Sequence, residues 1–278
     1  MTGPAAAGPG GALGLRSARV KAARQLGKKA FRERGRSFLA EGPQAVREAL
    51  RAPGVMTELF VTGQGRARHA ELTERAAGLG VPVHEVGGDV MAELAQTVTP
   101  QGLLAVCRFV DVPLDVLTGA QPRLVTVLAS VRDPGNAGTV LRTSDAAGAD
   151  GVVFSAASVD PYNAKCVRSS AGSLFHVPVV AGPPLTDVIA ALREAGLQVL
   201  AADGRASLVL DDPANGPDLT LPTAWLFGNE AWGLPDGLRA LADAVVAVPI
   251  YGQAESLNLA AAAAVCLYAS ARHARSTP

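Results

Sequence analysis

Residues 248–269 read VPIYGQAESLNLAAAAAVCLYA, and the interpretation of the chain turns on them. A short apolar strand, 245–250, breaks at Tyr251-Gly252-Gln253. The chain resumes at Ser256-Leu257-Asn258 and runs into an alanine-rich helix. Ser256 stands where a helix cap belongs. A helix of Ala, Leu, Val and Cys has no polar face, which predicts burial on nearly all sides. Its polar N-terminal end follows a strand, and free backbone N–H groups at such a place bind ligands in α/β sheets. A capped core helix with no ligand fits the same residues equally well.

Working outward, strands are expected at 124–129, 151–154, 177–180, 197–202 and 224–228, separated by helices at 136–147, 163–171, 185–195 and 238–242. Repeated β–α alternation predicts a parallel sheet covered by helices on both faces. A smaller alternating unit precedes it at 16–110. Its expected elements are a helix over 16–36, strands at 37–40, 57–61, 81–86 and 103–110, and helices at 43–50, 66–79 and 89–95. The turn-rich stretch 111–122 reads as a linker, and residues 1–15 as a flexible tail. The domain expectation is therefore 16–110 and 123–278, joined by 111–122.

The 25 basic and 25 acidic residues cancel, but they are not evenly spread. Nine Lys or Arg lie between Arg16 and Arg36 (16, 19, 21, 24, 28, 29, 32, 34 and 36) against one acid, Glu33. The remainder holds 16 basic and 24 acidic residues. A basic block on an acidic body points to a polyanion, although a solvated basic helix has the same composition. The three cysteines (107, 166, 266) share no metal-ligand spacing with one another or with the four histidines, so no metal site is expected. They read as reduced core residues of a cytoplasmic protein. The longest apolar run, 259–267, is far short of the ~20 residues of a membrane helix.

Glycine-rich nucleotide loops, the zinc-protease pattern H-E-x-x-H and the esterase pattern G-x-S-x-G are all missing. This disfavours a nucleotide-dependent oxidoreductase. Three polar clusters stand instead at strand ends. The first is Asn136-Ala137-Gly138-Thr139-Val140-Leu141-Arg142, with Asn136 read as a helix cap and Arg142 two turns on. The second is Leu226-Phe227-Gly228-Asn229-Glu230-Ala231-Trp232-Gly233-Leu234. The third is the opening stretch, with Ser256 and Asn258. Taken singly, each is also a cap or a turn.

In this order, N-x-G-x-x-x-R, L-F-G-N-E-x-x-G-L and V-P-I-x-G-x-x-x-S-L-N resemble the three signature motifs of the SpoU (TrmH-type) RNA ribose 2′-O-methyltransferases, over about 123–272. Phe38-Leu39-Ala40-Glu41-Gly42 and Thr99-Pro100-Gln101-Gly102-Leu103-Leu104-Ala105-Val106 resemble the opening and closing strands of the small ribosomal-protein-like RNA-binding domain that often precedes them. The fold implied is α/β, a parallel-sheet domain tied into a deep trefoil knot (the SPOUT fold) behind a small α/β RNA-binding domain.

The resemblance further implies S-adenosylmethionine held by Gly228, Val248, Ile250 and Leu257. Val248 stands where relatives often have Ile. Asn136, Arg142, Glu230, Ser256 and Asn258 fall on positions tied to catalysis and substrate handling. A guanidinium stays protonated at any ordinary pH, so Arg142 is cast as a ligand for RNA phosphate and the nucleophilic oxygen, held in place by Glu230 and Asn136. Family members work as homodimers whose active sites draw on both chains. The basic segment gains an RNA role through Arg16, Arg19, Lys21, Arg24, Lys28, Lys29, Arg32 and Arg34. The expected substrate is 23S ribosomal RNA, because the N-terminal domain resembles that branch. Antibiotic-resistance methyltransferases of the thiostrepton and avilamycin types share the layout. A transfer-RNA methyltransferase and a catalytically silent RNA-binding homologue are the alternatives.

Overall fold

The computed structural model describes residues 11–276 and divides after Phe109 into two compact units. The first contains β1 (Ser37–Glu41), β2 (Met56–Val61), β3 (Val83–Glu85) and β4 (Leu103–Arg108) in the order β1-β4-β2-β3. β4 is antiparallel to both neighbours, and β2 and β3 are parallel. Leu39, Phe60, Leu104 and Val106 of the sheet meet Val20, Ala23, Val90, Met91 and Leu94 in one core. Leu13, expected in a flexible tail, bridges to Val86.

The expected helix at 16–36 is two helices, Ala18–Gln25 and Lys29–Gly35. The break falls at Gly27, and Arg32 closes it, donating from Nη1 to the carbonyls of Leu26 (2.9 Å) and Gly27 (3.1 Å). A helix end leaves carbonyls unpaired, and a guanidinium supplies the missing donors. Arg32 is consequently buried and removed from any surface contact, against expectation. The helix expected at 66–79 is likewise two, Gly63–Arg68 and Ala70–Gly78, separated by non-helical His69.

The second unit is a seven-stranded parallel sheet. Its strands are β5 (Leu124–Leu128), β6 (Gly151–Phe154), β7 (Val179–Ala181), β8 (Gln198–Ala202), β9 (Leu208–Val209), β10 (Thr223–Phe227) and β11 (Ala244–Ala247), in the order β7-β6-β5-β10-β8-β11-β9. β5 and β10 are buried along their whole length, as continuous apolar runs at the middle of a covered sheet should be. The two-residue β9 has no counterpart in the sequence reading. The segment expected as a linker belongs to this unit. It forms a helix, Leu114–Gly119, whose Leu117 is buried in the sheet's core. Tyr162 pins its start, with the hydroxyl accepting from the N–H groups of Val110 (2.8 Å) and Asp111 (2.7 Å) and donating to the Asp111 carboxylate (2.6 Å).

The C-terminal helix, Leu259–Ser276, packs against the helix Pro134–Ala147 and against β5 and β10. It is not enclosed on all sides, as its composition had suggested. Ala263, Cys266, Leu267 and Ser270 are buried, while Val265 and Tyr268 are exposed. All three cysteines are buried and free, and burial raises each thiol above its usual range, Cys266 to about 12.

Trp225, fully buried in β10, donates its indole N–H to Ser270 Oγ at 2.9 Å. Ser270→Ala leaves that donor stranded, which costs about 1–3 kcal/mol. Chemical denaturation should show this loss. An unchanged midpoint would mean that the indole finds another acceptor.

Candidate functional site

β10 delivers the second polar cluster to the C-terminal edge of the sheet. Immediately after Phe227 the chain folds back on itself, with Asn229 and Gly233 exchanging backbone hydrogen bonds of 3.0 and 2.9 Å. A Cβ on Gly228 would lie 2.5 Å from the Gly233 carbonyl carbon, so only glycine fits. Asn229, buried, ties this loop to the end of β5 by donating to the Ser130 carbonyl at 2.9 Å.

The loop presents Glu230 to the N-terminus of the helix Pro134–Ala147. Glu230 Oε2 accepts from the Arg132 N–H (3.2 Å). Its Oε1 accepts from the Asp133 N–H (3.0 Å) and from Asn136 Nδ2 (3.3 Å). A carboxylate is favoured there by unpaired N–H groups and by the helix dipole. Asn136 in turn accepts at Oδ1 from Asn258 Nδ2 at 3.1 Å. The chain Glu230–Asn136–Asn258 thus joins all three clusters, which are far apart in sequence.

Two cap assignments change. Asp133 caps the helix Pro134–Ala147, accepting from the Asn136 N–H at 2.8 Å, and Pro134 occupies the first turn. The Asp-Pro pair was the better signal, and it leaves the Asn136 side chain free for the loops. Hydrogen bonding from Lys165 Nζ (2.7 Å) holds the Asp133 carboxyl below its usual range. At the other helix, Asn258 rather than Ser256 caps, accepting from the Ala260 N–H at 2.9 Å. Gly138 has a packing role. A Cβ there would lie 2.3 Å from the Cys166 carbonyl oxygen, so the helix Ala164–Ser169 can approach closely.

Between the second and third clusters lies a cavity of about 610 Å³, and neither Asn136 nor Asn258 is part of its wall. Gly228, Glu230, Val248, Ile250, Ser256 and Leu257 all line it, with Trp232 and the Asp203-Gly204-Arg205 turn. Its size falls within the range of small-molecule sites, and its walls mix apolar side chains with Asp203, Arg205, Asn229, Glu230, Glu255 and Ser256. Ile250 and Leu257 are 37% and 39% exposed, apolar surface that a flat ligand would cover. Among the described residues no group of His, Cys, Asp and Glu could hold a metal ion.

Arg142 stands apart. It is exposed, engages neither Glu230 nor Asn136, and does not line the cavity. Six positions along a helix turn about 600°, which sets it about 120° around from Asn136 rather than above it. Around the basic segment several charges are already met. Arg19 pairs with Glu58, Arg24 with Glu93 and Lys29 with Glu33, and the Arg34 guanidinium covers the Phe31 ring. Arg16, Lys21 and Lys28 are exposed.

The sequence reading missed the turn after β8. There Asp203 accepts two hydrogen bonds from the Arg205 side chain (3.0 and 2.8 Å) and one from Arg239 (3.3 Å). The bond from Arg205 pulls the Asp203 carboxyl down to about 2. Only the short D-x-R spacing of Asp203 and Arg205 hinted at this pair, since Arg239 lies 36 residues on.

Comparison with known proteins follows the same division. Residues 123–268 match the SpoU rRNA Methylase family, and residues 17–105 match the MRM3-like substrate binding domain. The chain is 35% identical over 250 residues to the 23S rRNA (guanosine(2553)-2′-O)-methyltransferase RlmP of Bacillus subtilis, covering 90% of this chain and 94% of that one. The structure of an AdoMet-bound rRNA methyltransferase from Sinorhizobium meliloti superposes with a TM-score of 0.80 at 32% identity, covering 94% of this chain and 96% of that one. AviRb from Streptomyces viridochromogenes, a SpoU methyltransferase solved with AdoMet, gives 0.80 at 29% identity, covering 94% and 100%. An α/β chain whose three diagnostic clusters are hydrogen-bonded to one another at one edge of the sheet, and which matches on this scale, belongs to the SpoU rRNA methylase family.

Proposed function

We propose that this protein transfers a methyl group from S-adenosylmethionine to a ribose 2′-hydroxyl of RNA, with 23S ribosomal RNA as substrate. The observation that carries the reading is the Glu230–Asn136–Asn258 chain, which joins the three clusters beside a cavity that the second and third of them line. Gly228, Val248, Ile250 and Leu257 would hold the cofactor, which supplies an electrophilic methyl on a sulfonium. Glu230 and Asn258 fix the loops, Asn136 links them, and Ser256 offers a hydroxyl at the cavity wall. Arg142 would bind RNA phosphate and stabilise the developing alkoxide.

Because Arg142 lies off the cavity wall, the site is best completed by a second copy of the chain. Ala261, Val265, Tyr268 and Arg272 share an exposed, largely apolar face of the C-terminal helix, a suitable surface for a homodimer. We infer the trefoil knot as well. β11 lies beyond β8, on the far side from β5, yet the helix that follows it packs back onto β5 and β10. A ribosomal-RNA substrate implies a cytoplasmic enzyme, and no helix of the described residues is long and apolar enough to cross a membrane.

RNA from the large ribosomal subunit, incubated with the protein and methyl-labelled cofactor, should yield one labelled 2′-O-methylnucleoside on digestion. Label on transfer RNA alone would transfer the assignment there. Cofactor binding with no label on any RNA would mark a silent RNA-binding homologue. The N-terminal unit's share in RNA binding has its own expected result. Replacing Lys21 and Lys28 by Ala should flatten the salt dependence of RNA affinity by roughly 0.7–0.9 log–log units for each phosphate released from the interface. An unchanged slope would place the RNA-binding charges elsewhere.

A further inference from the structure

The cavity carries a charge asymmetry outside the three signature loops. Among its described lining residues Arg205 is the single basic side chain, beside three acidic ones, Asp203, Glu230 and Glu255. Glu230 is committed to three N–H donors of the first loop. Asp203 has a side chain only 6% exposed, and it accepts from Arg205 and Arg239 together. Arg239 is also paired with Asp236, so Arg205 is the guanidinium of this cluster that reaches the cavity. Arg205 itself is 64% exposed and contributes little to the core.

Geometry limits where that charge can act. Asp203 takes Nε–H and one Nη2–H of Arg205 in a two-pronged grip, and the Arg205 backbone N–H also donates to it at 3.0 Å. The head is thereby locked with three of its five N–H donors unused. It lies beside the Gly228–Gly233 loop, since a Cβ on Gly233 would be 4.0 Å from Arg205 Nη2. A fixed, planar fork suits a carboxylate.

S-adenosylmethionine has a sulfonium, an ammonium and a single anion, its carboxylate. Resting on the methyl-donor reading above, we propose that Arg205, clamped by Asp203, anchors the carboxylate of the cofactor's methionine arm. The assignment fixes the direction in which that arm leaves the cavity, and with it the orientation of the methyl group. RNA phosphate is the competing anion. Arg205 shares a wall with Gly228, Ile250 and Leu257 rather than with an outward basic ridge, which favours the cofactor.

The test is calorimetric titration of the full chain and of Arg205→Gln with two ligands. One is S-adenosylmethionine, and the other is its decarboxylated form, which keeps the sulfonium and lacks the carboxylate. The unaltered chain should prefer the carboxylated ligand by about tenfold to a hundredfold. Arg205→Gln should lose that preference while binding the decarboxylated ligand as before, which also reports an intact fold. A preference that survives in Arg205→Gln overturns the proposal, as does equal loss for both ligands. Weakened RNA affinity with the preference intact would assign Arg205 to phosphate and also overturn it. If the unaltered chain binds both ligands equally, only this assignment fails. If it takes up neither, the methyl-donor reading fails with it.

Discussion

Arg142→Ala should lower ribose methylation by about 10²–10³-fold while leaving cofactor affinity within about threefold. The asymmetry follows from position. The Arg142 guanidinium is exposed, lies outside the cavity and engages none of Glu230, Asn136 and Asn258. Its removal therefore leaves the pocket walls and the bonds between the loops unchanged. In the role proposed above, the reaction loses the cation that meets charge building on the attacking oxygen. Arg142→Lys should recover little, because an ammonium cannot present two parallel donors to phosphate. Rates from methyl-labelled cofactor, set beside calorimetric affinities, separate the two effects. Full activity in Arg142→Ala would refute the role outright. If the site is shared between chains, mixing Arg142→Ala with a cofactor-defective variant should restore part of the activity.

Gly228→Ala supplies that second variant, and its defect should be the reverse. The added methyl would sit 2.5–2.7 Å from the carbonyl carbon and oxygen of Gly233 and the nitrogen of Leu234, all backbone atoms. No rotamer change relieves such a clash, so the turn must open. Opening it weakens the Asn229–Gly233 pair and shifts Glu230 away from the N–H groups of Arg132 and Asp133. Overpacking of this kind costs about 1–3 kcal/mol. Expressed in the cofactor site, that is roughly a tenfold to hundredfold loss of affinity. Thermal unfolding and cofactor titration together check it, and wild-type affinity would show that the turn relaxes without disturbing the pocket.

How far the sequence alone could lead depends on which physical signal each residue left. The central strands are apolar runs followed by glycine or a polar turn, and β5 and β10 were recognisable for that reason. Glu230, Asn136 and Asn258 stood out as polar groups at helix starts and strand ends. Their mutual bonding had to await coordinates, because local sequence carries no record of partners 94 and 122 residues apart. Errors arose where two local signals competed. Asn136 looked like a cap, but Asp133 ahead of Pro134 outcompeted it. Ser256 looked like another, but the helix starts later and Asn258 caps it. Arg32 was counted among surface charges because composition cannot show a guanidinium folded back onto two carbonyls. The supposed linker has the turn formers of a loop, yet one buried leucine, Leu117, commits it to the second unit.

The two tryptophans occupy opposite environments. Trp225 is sealed in the central strand, whereas Trp232 is 52% exposed at the cavity wall with the Arg132 guanidinium 5.6 Å from its ring centre. Indole emission shifts to longer wavelength in polar surroundings, so the two fluorophores should differ in colour within one chain. Light collected at the red edge would come mainly from Trp232 and would follow events in the cavity, while the blue component would follow the integrity of the sheet. The protein thus carries an intrinsic pair of optical reporters, one for occupancy and one for folding, with no label to attach.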